Sequence, residues 1–303
     1  MGFPSWLLAF ALTFALLPAA TVHATDVDGP DCGREITDFG DAPEGFDVFA
    51  RVIGYYPTCL APSAPGTQEV ACQPISSPPG PTGFMRNQQL GTSNYWLGCY
   101  TDASSALIGI DSETDGKTNV SGAGSFCDPA VIVDCDEIQG SIGQDECDGP
   151  ADAGLIGGPD FFSCRTSPVF LSTANCGLQP HPAFLNVLAD WNYDGDWNDV
   201  ILCDPQQSTC VYEWAVKNAP VMIPVGCGSI TSAPFPSAQY SGTGWMRISL
   251  TDVPVDDDFP WAGSANRPGG SYPGGETEDY FFFVVHGDPV NSSTWGGVKI
   301  RYH

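Results

Sequence analysis

The residues with most chemical potential are Asp190-Trp191-Asn192-Tyr193-Asp194-Gly195-Asp196-Trp197-Asn198-Asp199. Oxygen side chains at alternate positions, followed by glycine, let a tight loop turn several oxygens toward one hard cation. Calcium takes about 6–8 such oxygens, and glycine permits the turn. In the register of an EF-hand loop, Asp190, Asn192 and Asp194 would be ligands and Asp196 would offer its carbonyl. The twelfth position is Ile201, where that loop requires a bidentate Glu, so this is not an EF-hand. Asp199, or an acid from elsewhere in the fold, must complete the shell. The competing reading is a β-hairpin whose Asp-Gly turn is merely polar. With no Lys or Arg inside the loop, we expect calcium. Asp111, Glu113 and Asp115, before Gly116, repeat the alternation more weakly and also fit a solvated loop.

The mature chain offers little else that could be catalytic. Its histidines are His181, His286 and His303, and no metalloprotease, nucleophile-elbow or phosphate-loop motif is present. A glycosidase-like carboxylate pair is the one enzymatic route left, and acids abound here for other reasons. We expect a non-enzyme. Sugar binding is the alternative, since Trp197, Trp261, Tyr193 and Tyr272 fall in Gly/Asp-rich loops where exposed rings could stack on a saccharide. The same rings could instead pack over loops as small satellite cores.

The elements that position these residues are strands. Helical periodicity is nearly absent, and short apolar runs alternate with Gly, Pro, Asp and Asn, with 35 Gly and 27 Pro in all. That pattern predicts an all-β fold, a jelly-roll-like β-sandwich with long, disulfide-bonded, Asp/Gly-rich loops. In Trp245–Leu250, Met246, Ile248 and Leu250 point one way and Arg247 and Ser249 the other, which predicts one wet face. Tyr280–Val285 is apolar on both sides and should lie between layers. Residues 25–180 form a loop-rich half, 181–286 a strand-dense half, and 287–303 a connector with a final strand.

Charge and cysteine content set the compartment. The chain holds 36 Asp plus Glu against 10 Lys plus Arg, a net of -26. Such a surface repels nucleic acid and anionic membranes. Trp6–Leu17 is an apolar run broken by Pro18, and Val22-His23-Ala24 offers a cleavage site, so residues 1–24 read as a signal peptide; an uncleaved anchor is the alternative. No later segment reaches the ~20 apolar residues of a membrane helix. The 12 cysteines follow that segment and predict disulfides. Local pairs are expected between Cys203 and Cys210 and between Cys59 and Cys72. A secreted or cell-surface protein results, with surface glycans or other extracellular proteins as partners.

Two further motifs resemble a known family. Asp38-Phe39-Gly40-Asp41-Ala42-Pro43-Glu44 is similar to the DFGDAP motif of secreted bacterial proteins. Gly275-Glu276-Thr277-Glu278-Asp279-Tyr280 resembles the GEVEDY signature of the GEVED domain, with Thr277 in place of Val. The resemblance implies an extracellular β-sandwich module, found in adhesin-like proteins or beside secreted hydrolases, with no catalytic activity of its own. Glu276, Glu278 and Asp279 stand just before the most apolar strand, where carboxylates are costly unless paired or bound to metal. They are expected, with Asp38 or Asp41, to supply the ligands that the Asp190 loop lacks. Capping of backbone N–H groups is the alternative.

Overall fold

A computed structural model of the chain describes residues 36–40, 42, 44–49, 52–58, 81–89, 95–101, 107–108, 119–120, 124–125, 154–157, 160–203 and 209–286. Residues 1–24, expected to be a signal peptide, together with Asp41, Asp111, Glu113, Asp115, Cys59, Cys72 and residues 287–303, lie outside the described residues.

Alternating side chains sort the strands into two facing sheets. The strands are β1 (Tyr95–Leu97), β2 (Asp160–Phe162), β3 (Phe170–Asn175), β4 (His181–Ala189), β5 (Trp214–Ile223), β6 (Gly226–Thr231), β7 (Gly242–Thr251) and β8 (Thr277–Val285). One sheet has the order β2-β8-β7-β4-β5 and the other β6-β3-β1. Leu185 and Val187 of β4, Ile248 and Leu250 of β7, and Phe282 of β8 meet Leu97, Leu171 and Ile230 of the smaller sheet in one core. Burying each large apolar side chain contributes about 1.5–3 kcal/mol, which makes this interface the main source of stability. The all-β sandwich is therefore the fold.

The strand β7 has no wet face. Arg247 and Ser249 are 1% and 0% exposed. Their side of the large sheet is covered by a second layer. In it the strand Ile36–Phe39 pairs with Arg86–Gln89, which pairs in turn with Tyr272–Pro273. Leu188 and Trp245, pointing away from the main core, pack there with Tyr56, Met85, Trp197 and Phe259. Polar groups on that face are matched pairwise: Thr277 Oγ1 lies 2.7 Å from Asn87 Oδ1 and 2.8 Å from Ser249 Oγ. Alternation gave the correct facing, but a polar face becomes wet only if nothing complementary covers it. The strand β8 departs in the opposite sense. Tyr280, Phe282 and Val284 are buried, yet Phe283 and Val285 are 39% and 41% exposed.

Disulfides join Cys99 to Cys227 and Cys164 to Cys203, with Cα–Cα separations of 5.5 and 5.4 Å. Cys203 therefore does not pair with Cys210, against expectation. The reason is register. In the hairpin of Val200–Leu202 with Cys210–Tyr212, Leu202 stands opposite Cys210, so the adjacent Cys203 faces the other side. Cys203 points into the main core, where Cys164 meets it.

Gly275, which opens the acidic signature, has φ +70, and a Cβ there would meet Leu250 O at 1.9 Å. Only glycine fits such a close backbone approach at positive φ. Gly275→Ala should lower unfolding free energy by about 1–3 kcal/mol in denaturant titration. An unchanged midpoint would contradict this backbone placement.

Candidate metal centre

The strand β4 ends at Ala189, and the acid-rich loop runs from Asp190 to the strand Val200–Leu202. Asp190 is fully buried and organises the turn. Its carboxylate accepts from the backbone N–H groups of Tyr193 (2.6 Å), Asp194 (3.2 Å) and Gly195 (3.0 Å), and from the Tyr56 hydroxyl at 2.7 Å. This is the local Asx-type bonding that makes Asp a turn former. Gly195 sits at φ +96, and a Cβ would meet Ile53 O at 2.3 Å. Its carbonyl accepts from Tyr55 N at 2.6 Å, which docks the strand Val52–Tyr55 on the loop.

Around this frame the acids converge. Ligand oxygens of Asp190, Asp194 and Glu213 lie within 4.8 Å of one another, as do those of Asp194, Asp196 and Asp199. Asn192 supports the cluster, its Nδ2 donating to Asp199 Oδ2 at 2.6 Å. Asn198 is 3% exposed, and neither atom of its side-chain amide has a hydrogen-bond partner.

Glu213 escaped the sequence reading. It stands in the apolar run Val211-Tyr212-Glu213-Trp214-Ala215-Val216, and a lone acid in such a run was the available signal. Its two carboxylate oxygens accept from Trp191 N and Asp199 N, each at 2.9 Å, so it closes the loop from beneath.

Burial and mutual repulsion strain these groups electrostatically. Loss of water, and then the Asp194 charge, push the Asp190 carboxyl up to about 8. Loss of water, then Asp190, Asp199 and the other loop acids, hold Glu213 well above the usual carboxylate range. Desolvation, followed by the Asp190 charge, also raises the Tyr56 hydroxyl. No ion pair among the described residues reaches Asp190 or Glu213. Anions gathered this way favour a proton or a cation.

The acids of the two end motifs are placed differently. Neither set of converging oxygens includes Asp38, Glu276, Glu278 or Asp279. Asp38 Oδ2 accepts from Thr277 N at 2.7 Å, Asp279 Oδ2 from Ala42 N at 2.7 Å, and Glu276 from Leu97 N. Asp279 also forms a buried pair with Arg247, whose Nε lies 2.8 Å from Oδ1. Glu278 is buried in β8. Backbone N–H capping, the alternative, describes Asp38, Glu276 and Asp279. The two motifs fasten the N-terminal segment to β8, because each carboxylate finds an orphan N–H beside it. Arg247 links this fastening to the loop, lying 4.7 Å from the ring centroid of Trp197.

The aromatic platform does not form from the expected rings. Trp197, Trp261 and Tyr272 are 1%, 6% and 0% exposed. Trp197 packs on Tyr56 at 4.4 Å, and Tyr272 meets Phe259 edge-on at 5.9 Å. Large rings in loops are drawn under them wherever a second layer offers apolar cover. Tyr193 alone of the four is half-buried. His181 is a packing residue, stacked on Tyr95 at 4.4 Å with Nε2 2.8 Å from Asp252.

A two-sheet sandwich with an acid cluster at the end of one central strand defines a β-sandwich module. Residues 184–283, a stretch that takes in most of the strands β4 to β8 and the acid loop, match the GEVED domain model. No curated protein matches the chain. Among solved structures, native α2-macroglobulin from Escherichia coli, spanning domain MG7 to the C-terminus, aligns at 14% identity and TM-score 0.24. The alignment covers 44% of this chain and 16% of that one. The CARDB domain of a Pyrococcus furiosus protein, in complex with di-metal ions, aligns at 10% identity and TM-score 0.23, covering 43% and 84%. Alignments of this quality assign no function.

Proposed function

We propose that the protein is an exported, calcium-stabilised β-sandwich module with a structural or adhesive role and no catalysis of its own. The observation that carries this reading is the convergence of Asp190, Asp194, Asp196, Asp199 and Glu213 within 4.8 Å sets. Every ligand group in those sets is a carboxylate. All-oxygen sets suit a hard ion, and calcium accepts their number and irregularity better than magnesium does. The disulfides fit an oxidising compartment. No helix among the described residues is long and apolar enough to cross a membrane.

Metal analysis of protein purified without chelator should find calcium. By titration calorimetry, Asp194→Asn should weaken calcium binding at least about tenfold, since Asp194 belongs to both sets. Glu278→Gln, outside the sets, should leave it nearly unchanged. A metal-free preparation that fails to take up calcium would overturn the proposal.

A further inference from the structure

Beside the acid loop lies a cleft of about 640 Å³. Tyr193, Tyr240, Gln239, Ser241, Ser163 and His286 line it, with the Cys164–Cys203 disulfide and Asn192 at its floor and edge. Four features mark it as built for a ligand. Its lining contains no Asp, Glu, Lys or Arg, in a chain that carries 36 acids. Its polar groups are hydroxyls, two amides and an imidazole, and two tyrosines stand among them. Tyr240 is 43% exposed, so its ring is open to a ligand.

The fourth feature is the setting of Tyr193. It holds φ +63, a conformation that side-chain-bearing residues seldom adopt and that concentrates at functional sites. Asp190 stabilises it through the Tyr193 N–H, and the Tyr193 hydroxyl donates to Tyr240 O at 3.0 Å. Gly242 leaves room for the ring, since a Cβ there would meet Tyr193 Cε2 at 2.6 Å. Opposite, Ser163 Oγ lies 3.2 Å from His286 Nδ1.

We propose that this cleft binds a neutral saccharide. Sugars present an apolar face that stacks on aromatic rings and a rim of hydroxyls that hydrogen-bond to amides, hydroxyls and imidazole. A charged ligand would find no counter-ion in the lining, and a purely apolar one would leave the polar rim unsatisfied. The volume lies within the range of small-ligand sites, about 300–1,000 Å³. The site gives the adhesive role a ligand class. Saccharide binding is independent of the metal proposal, but its regulation rests on that proposal. Asn192 and Tyr193 belong to the acid loop, so ordering the loop around an ion raises affinity for the sugar, and sugar raises affinity for the ion.

Saturation-transfer NMR with the calcium-treated full chain tests this, using methyl glycosides and neutral disaccharides of glucose, galactose, mannose and N-acetylglucosamine. At least one probe should bind. Tyr240→Ala should weaken it at least about fivefold with an unchanged melting temperature, because the ring is exposed. Gly242→Ala should weaken it by displacing Tyr193. Absence of transfer from every probe, or equal binding by wild type and Tyr240→Ala, would overturn the site. Binding unchanged by chelation would overturn the coupling alone, and metal analysis of the same sample records separately whether the ion site exists.

Discussion

Removal of calcium should lower the melting temperature at pH 8 by on the order of 5–15 °C, and by much less at pH 5. The first figure follows from mass action. An ion bound only by the folded state, at about 100 to 1,000 times its dissociation constant, stabilises by about 2.7–4.1 kcal/mol. A domain of this size shifts roughly 2–4 °C per kcal/mol. The pH dependence follows from Asp190 and Glu213. Burial and neighbouring charge raise the Asp190 carboxyl to about 8 and Glu213 in the same direction. Unfolded carboxyls titrate near pH 4.

Between about pH 4 and pH 8, the metal-free folded chain thus binds more protons than the unfolded chain. Its stability is full at the acid end and falls as pH rises through that window. Calcium competes with those protons for the same oxygens. It therefore restores most stability at pH 8, where the sites are anionic, and least at pH 5. Asp194→Asn should narrow the difference between the calcium and chelated forms at pH 8. It removes a charge that raises Asp190, so it should not destabilise the chelated protein at pH 8, yet it should destabilise the calcium form. Scanning calorimetry with calcium and with chelator at both pH values decides this. Superimposable melts at pH 8 would end the metal account.

Arg247→Met should destabilise the protein by about 3–5 kcal/mol, on the order of 10 °C in melting temperature. The Arg247–Asp279 pair is 1% and 0% exposed at its side chains. Removing the guanidinium strands a carboxylate that keeps only the Ala42 N–H, and uncompensated buried charge carries the cost. The same variant removes the 2.7 Å bond from Arg247 Nη1 to Pro57 O, leaving that carbonyl with Met85 N at 3.0 Å, and uncovers the Trp197 ring. Two consequences should accompany the loss: altered tryptophan fluorescence and easier proteolysis near residues 55–58. Arg247→Met combined with Asp279→Leu should recover a large part of the stability, since an apolar pair of similar volume needs no counter-charge. Denaturant titration of both variants gives the answer. A single variant within about 1 kcal/mol of wild type would show that the pair is not what holds the N-terminal segment to β8.

Much of the strand layout was legible beforehand because it depends on neighbours two residues apart. Met246, Ile248 and Leu250 had to share a face whatever covered it, and β4, β7 and β8 were visible as apolar runs bounded by Gly, Pro and Asp. The Asp190 turn was legible for a similar reason. Asp190 bonds to the N–H groups of residues 193 to 195, contacts that the local chain alone makes possible. The Cys203 partner was not legible, since the polar sequence between Cys203 and Cys210 suggested that these two pair, and only hairpin register shows that they face apart.

The sequence by itself determined the alternation of the strands, the acid-bearing turn, the glycines that permit it, and a cysteine content that calls for disulfides. Only the tertiary structure decided which acids meet. It brought Glu213 under the loop, gave Asp279 to Arg247, and joined Asp279 to Ala42 across 237 positions. It also buried Trp197, Trp261 and Tyr272 and left Tyr193 and Tyr240 beside a cleft. The reason is that side-chain direction is a property of a few consecutive dihedrals, whereas burial and charge partnership depend on what another layer places against that side chain.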